Sequence, residues 1–425
     1  MNSRLMSLAT LACMIVFTLT AFAQQQQEPL RHVEPYQLRV AGGHEARTSL
    51  GVSVDFGTEG TANTSGTVGE AKTSGTGAAS SSPALTLWTY QTTAAQNKKS
   101  YTGKIVGNSP TSGSTSVPAV LVPVVLKVTE GGTTYTFDPT ATDTSCLGSG
   151  NTAMSLTSAS PLFSTAATFT INGVSIGPTQ YSDAIVRAEF WTSGSSTSGN
   201  HLLLSPVSTG ATLTISVNAG TGGNSTAEVY SASGQCGNGL LGVVNINTID
   251  AAVQGYIRAH SLNATEFPFF VLYNAAMSIG SANNINNCCA IGYHNALGNP
   301  GQTYGVTDFE GRDQTLFPGV ADVAAASHEV NEWVNDPSGT NPTPAWGNIG
   351  QVSGCESEFE VGDPLTGTLM PAGSFSIPGS FTYHLQELAF YSWFYGGTSL
   401  GAGGKYSSAG TFKGAAKLCP PGGTN

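Results

Sequence analysis

The chain has 425 residues, and its 26 acidic against 15 basic side chains give a formal net charge of −11. Charged residues are only 10% of it, against roughly 25% in an average protein, so the surface relies on hydroxyls and amides more than on ions. An acidic balance of this kind argues against a nucleic-acid partner, which needs a basic face.

The N-terminus is read as a secretory signal peptide over residues 1–23. Arg4 starts it, Leu8–Phe22 is apolar, and Ala21-Phe22-Ala23 is a small-x-small cleavage site before Gln24. No later apolar run reaches the length of a membrane span. The expected location is therefore secreted or periplasmic, with no membrane span. Cys13 falls in the signal, which leaves Cys146, Cys236, Cys288, Cys289, Cys355 and Cys419. An even number of cysteines in an exported chain favours disulfides. The adjacent Cys288 and Cys289 are expected to bond to two separate partners. A thiolate zinc site is the weaker reading, because the spacings lack a C-x₂-C knuckle.

From Gln24 to Ser82 the chain is poor in aromatics and rich in Gly, Thr, Ser and Ala. It reads as an exposed lead-in and linker, with one short strand over Leu50–Phe56. Order is expected from Leu85-Thr86-Leu87-Trp88 onward. Val117–Val128 is a near-continuous apolar run and predicts a buried strand, though two prolines interrupt it. Thr134–Phe137 follows a Gly-Gly pair and predicts a hairpin. Gln180–Trp191 predicts a helix, Ala211–Val217 a strand, Ile249–His260 a helix and Phe267–Tyr273 a buried or edge strand. A further helix is expected from about Asp322 to Asn335, stopped at Asp336-Pro337. A last one is expected to start at His384. The fold class is α+β: a β-rich region over 83–230, then a zincin-like α/β core over 231–425. Whether the two regions form one compact unit is left open.

The chemistry concentrates in His328-Glu329-Val330-Asn331-Glu332. Residues four apart on a helix share a face, so His328 and Glu332 point the same way, with Glu329 at the next position around. In H-E-x-x-H zinc hydrolases that geometry supplies two ligands and a general base. Here Glu replaces the second His, and Zn²⁺ accepts a carboxylate oxygen as well as an imidazole nitrogen. The ordinary alternative is a solvated helix face. Two features weigh against it: charges are scarce in this chain, and a second acidic cluster follows at Glu356, Glu358, Glu360 and Asp363.

The expected site then takes His328, Glu332 and Glu360 as ligands of zinc, with Glu329 as base. His294 and His384 rival Glu360 as third ligand or serve to stabilise an oxyanion. Asp363 is a further candidate ligand and is otherwise placed to orient an imidazole. Calcium is the alternative ion, since it prefers hard oxygen ligands. Aromatics at Phe390-Tyr391 and Trp393-Phe394-Tyr395, with Trp333 and Trp346, are read as core packing ahead of a stacking platform. His32, His44, His201 and His260 are read as ordinary residues.

The blocks Thr179–Ala184, Cys288–His294, Ser327–Pro337 and Glu360–Pro364 resemble those of a group of exported soil-bacterial proteins, acidobacterial ones in particular. More distantly, S-H-E-x-x-E-x-x-x-D-P with a later E-x-G-D is similar to bacterial relatives of the plant phosphate-induced (EXORDIUM-like) proteins. Plant members lack the H-E-x-x-E element, so their role in growth signalling does not carry over. The resemblance spans roughly Trp88 to Cys419. It implies that His328, Glu329, Glu332, Glu360 and Asp363 belong to one pattern that also takes in His294 and His384. It implies no substrate. The expected function is an exported zinc-dependent, peptidase-like hydrolase acting on an extracellular peptide or polymer. The alternatives are a non-enzymatic surface, matrix or glycan-binding protein with a structural Ca or Zn site, and a hydrolase that has lost turnover.

Overall fold

A computed structural model describes residues 31–33, 84–220, 225–232, 239–297, 301–311, 317, 319–379 and 381–419. The segment read as a signal peptide, the strand expected over Leu50–Phe56 and most of the lead-in lie outside the described residues. Within that lead-in, Arg31–Val33 form a strand running parallel to Tyr230–Ala232.

The architecture is mixed and strand-rich, as α+β requires. Its organising element is the long strand Thr115–Glu130, continuous through Pro118 and Pro123. One of its sides carries Phe267–Tyr273 in parallel and then the hairpin strand Thr133–Phe137. The other side carries Leu202–Thr209 and Leu213–Asn218, both parallel. Beyond Phe267–Tyr273 comes Gln302–Phe309, again parallel, and then the antiparallel terminal strand Gly292–Leu297. Strands from the region before residue 230 and from the region after it therefore hydrogen-bond in one sheet. A second sheet holds Ala227–Ala232, Leu240–Asn245, Ala275–Ser278 and Cys288–Ala290.

Phe267–Tyr273 is buried along its whole length, which suits a strand covered on both faces. Its side chains alternate between two cores, as a period of two dictates. Phe267, Phe269 and Val271 join Val330, Trp333 and Val334 of the helix Ala324–Asn335. Phe270 and Leu272 join Ile249 and Val253 of the helix Ile246–Ala259. The Phe267 and Trp333 rings stack with centroids 3.8 Å apart, and Trp333 Nε1 donates to Thr303 Oγ1 at 2.9 Å. These contacts seat the motif helix firmly on the sheet.

Several details depart from the sequence reading. The motif helix begins at Ala324, because the Asp322 carboxylate is spent on the amides of Val323 and His384. No helix starts at His384. That segment is extended because its amides bond outward: Gln386 to Ser327 Oγ, Glu387 to Thr368 O, and Ala389 to Val361 O. The helix there spans only Tyr391–Tyr395. Cys288 and Cys289 bond to each other, not to separate partners, and Cys355 pairs with Cys419. Cys146 is also disulfide-bonded, and Cys236 lies outside the described residues. No helix among the described residues is long and apolar enough to cross a membrane.

Glu189 ends the helix Tyr181–Glu189 fully buried, accepting from the Tyr391 amide through one oxygen. Its other oxygen has no partner among the described residues. Burial pushes this carboxyl up to about 8 from 4.5, only partly opposed by the Tyr391 N–H. The folded state thus holds the proton to higher pH than the unfolded chain does. Its contribution to stability is full below the ordinary carboxylate range and falls as pH rises through the folded value. Thermal melts from about pH 5 to about pH 9 should show a declining Tm, and Glu189→Gln should flatten that decline. An equal slope in the variant would contradict this assignment.

Candidate metal centre

The helix Ala324–Asn335 is buried on every side, so its polar residues face protein and not water. Asn331 and Asn335 satisfy their amides on carbonyls one turn back, those of Ser327 and Asn331. Asp336 closes the helix, with its carboxylate accepting from the amides of Thr340 and Asn341 at 2.9 and 2.8 Å. One turn of this helix carries the motif. His328 Nε2 lies 3.0 Å from Glu332 Oε1, as i,i+4 geometry allows.

Three other segments converge on that turn. After the strand Val352–Glu358, the amides of Gly362 and Asp363 donate to Glu332 Oε1 at 3.0 and 3.2 Å. Asp363 Oδ1 comes within 3.2 Å of His328 Nε2. The second segment supplies Gln386, whose Oε1 lies 3.2 Å from His328 Nδ1 while its Nε2 donates to Gly362 O at 2.7 Å. With Nδ1–H assigned as donor to Gln386, His328 Nε2 is the nitrogen that faces the carboxylates and the one that could exchange its proton for an ion. Both approaches need glycine. A Cβ on Gly362 would lie 2.5 Å from His328 Nδ1, and one on Gly292 would lie 2.6 Å from Glu329 Cγ.

The third segment is the terminal strand Gly292–Leu297, which brings in His294. Its Nε2 faces Asp336 O at 2.9 Å and therefore carries the hydrogen. Its Nδ1 faces Glu329 Oε2 at 3.6 Å and Glu332 Oε2 at 3.7 Å. Glu360 Oε2 lies 3.9 Å from the Nε2 side. A lone pair aimed at two carboxylates is unfavourable unless positive charge sits between them.

Glu360 makes the same demand more strongly. It is 1% exposed, and neither carboxylate oxygen has a hydrogen-bond partner among the described residues. Burial pushes its carboxyl well above the usual range, and the carboxylates of Glu332, Asp336, Asp363 and Glu356 push it further. Burial alone would lower the His328 imidazole, but Glu332, Asp363 and Glu329 outweigh it and hold the ring well above its ordinary value. Both shifts express one condition, a buried excess of negative charge.

The donor atoms fall in two groups, His328–Glu329–Glu332 and His294–Glu332–Glu360, each within 4.8 Å. Ligands held about 2.0–2.2 Å from one ion stand roughly 3–4 Å from each other, so these residues could hold a metal ion. His328 and Glu360 belong to different groups that share Glu332. Of the expected participants, His328, Glu329, Glu332, Glu360, Asp363 and His294 are brought together. His384 is engaged elsewhere: its Nδ1 bonds Asp322 Oδ2 at 2.5 Å. His201 holds Asp183, His260 stacks on Tyr256, and His44 lies outside the described residues. Sequence reasoning missed Gly292, Gly362 and Gln386. Only Gly362, inside Glu360-Val361-Gly362-Asp363-Pro364, carried a signal there. Trp333, Trp346 and the Tyr391–Tyr395 aromatics are buried in the core.

Gly362 has φ −86°, so alanine suits its backbone and only the contact with His328 changes. Gly362→Ala should weaken metal affinity by roughly tenfold or more, measured by competition with a chromophoric chelator. Unchanged affinity in a folded variant would contradict the packing argument.

No protein-family model, no curated protein and no solved structure matches this chain.

Proposed function

We propose that this protein is an exported zinc-dependent hydrolase of peptidase type, with a zincin-like arrangement of sheet and motif helix. The observation that carries the proposal is the convergence of two imidazoles and three glutamates on one buried turn of the H-E-x-x-E helix. Imidazole donors favour zinc over calcium, which prefers all-oxygen shells. The orphaned carboxylate of Glu360 and the two glycine cradles fit such an ion.

When bound, Zn²⁺ supplies Lewis acidity toward a carbonyl oxygen and toward water. The chain's own residues do the rest. Glu332 is oriented by two backbone amides. Gln386 and Asp336 O fix the tautomers and ring planes of His328 and His294. Glu329 is the base that removes a proton from the attacking water and returns it to the leaving nitrogen. Gly292 leaves room for its side chain against the terminal strand. An extended peptide or similar extracellular polymer is the proposed substrate class.

A second reading has its own support. The proposed donors are 1–6% exposed, which suits a structural ion in an extracellular binding or matrix protein. The two readings separate in one series of measurements. Glu329→Gln should keep its metal and lose roughly 10²–10⁴-fold in peptide hydrolysis; equal turnover would refute the role of Glu329. Under the second reading, chelation lowers Tm and no hydrolysis accompanies the metal-loaded protein.

A further inference from the structure

The two groups of donors share a single residue. Glu332 turns Oε1 toward His328 Nε2 at 3.0 Å and Oε2 toward His294 Nδ1 at 3.7 Å. Its two oxygens thus face two different imidazoles, each backed by a further carboxylate: Asp363 behind His328, Glu360 beside His294. Each imidazole has its remote nitrogen tied to a neutral acceptor, Gln386 Oε1 or Asp336 O. Both therefore turn their other nitrogen inward.

We propose that the site is a dinuclear centre for two divalent cations bridged by the Glu332 carboxylate. This deepens the zinc-hydrolase reading and rests on it. One ion would be held by His328 Nε2 and Glu332 of the first donor group, with Asp363 3.2 Å from the same nitrogen; the other would be held by His294, Glu332 and Glu360. Glu329, 3.6 Å from His294 Nδ1, lies beside both and keeps its place as base. Paired ions of this kind sit roughly 3.5–4 Å apart and clamp the attacking and leaving groups together.

The shared donors lie out of water: Glu329, Glu332, Glu360 and Asp363 are 5%, 4%, 1% and 2% exposed, so solvent does little to screen them. An independent sign is Glu360 itself, a buried carboxylate in one of the donor groups with no hydrogen-bond donor on either oxygen among the described residues.

The test uses the full exported chain, stripped with a chelator and reloaded separately with Zn²⁺ and with Mn²⁺. Elemental analysis after dialysis should find about two zinc ions per chain. The Mn²⁺ form should give the electron paramagnetic resonance spectrum of an exchange-coupled pair. Glu360→Gln should fall to about one ion and give the six-line signal of an isolated Mn²⁺. About one ion per wild-type chain, with an isolated signal, overturns the dinuclear centre and leaves the hydrolase reading standing. No retained ion overturns both. The wild-type stoichiometry and coupling decide the matter even if Glu360→Gln does not fold.

Discussion

Four carboxylates, those of Glu329, Glu332, Glu360 and Asp363, lie together out of water around two imidazoles, and the rest of the site follows from that fact. Like charges at such separations repel strongly where solvent does not screen them. The protein answers only part of the demand. Two backbone amides reach Glu332, and Gln351 reaches Asp363. Glu360 has no hydrogen-bond donor among the described residues. A buried cluster of this composition could hold metal ions, which is what the proposed function requires of it.

The scaffold can hold the cluster because the motif helix has no freedom to retreat. Trp333 stacks on Phe267 on the face next to the motif, and Val330 and Val334 pack in the same core. Removing a buried aromatic of this size costs about 3–5 kcal/mol, comparable to a large part of a domain's stability. On the other side of the sheet, Ile249 and Val253 pack against Phe270 and Leu272. His294 is fixed in turn by strand pairing with Gly305. Strand, helix and the Glu360–Asp363 segment thus each hold one wall, and none has to move for the others to meet.

How much of this was legible in the sequence depends on whether the signal was local. Phe267–Tyr273 is apolar at every position and declares a strand covered on two faces. His328 and Glu332 declare a shared helix face by spacing alone. His294 was visible only as one of three candidates, because a strand and a helix 30 residues on carry no common period. His384 was misplaced. Its segment has apolar residues at helical spacing, yet its amides are claimed by Ser327, Thr368 and Val361 from elsewhere in the fold. The Cys288–Cys289 pairing was misread because neighbouring cysteines were assigned to distant partners when the ring closes locally. Gln386 and Gly292 matter only through tertiary contacts, which no local pattern announces.

Zinc K-edge X-ray absorption on the zinc-loaded protein tests the central claim most directly, because it reads the donor atoms themselves. The account predicts a shell of nitrogen and oxygen at about 2.0–2.1 Å with imidazole scattering beyond it and no sulfur. A sulfur shell at about 2.3 Å, or a purely hydrated ion without imidazole, would contradict it.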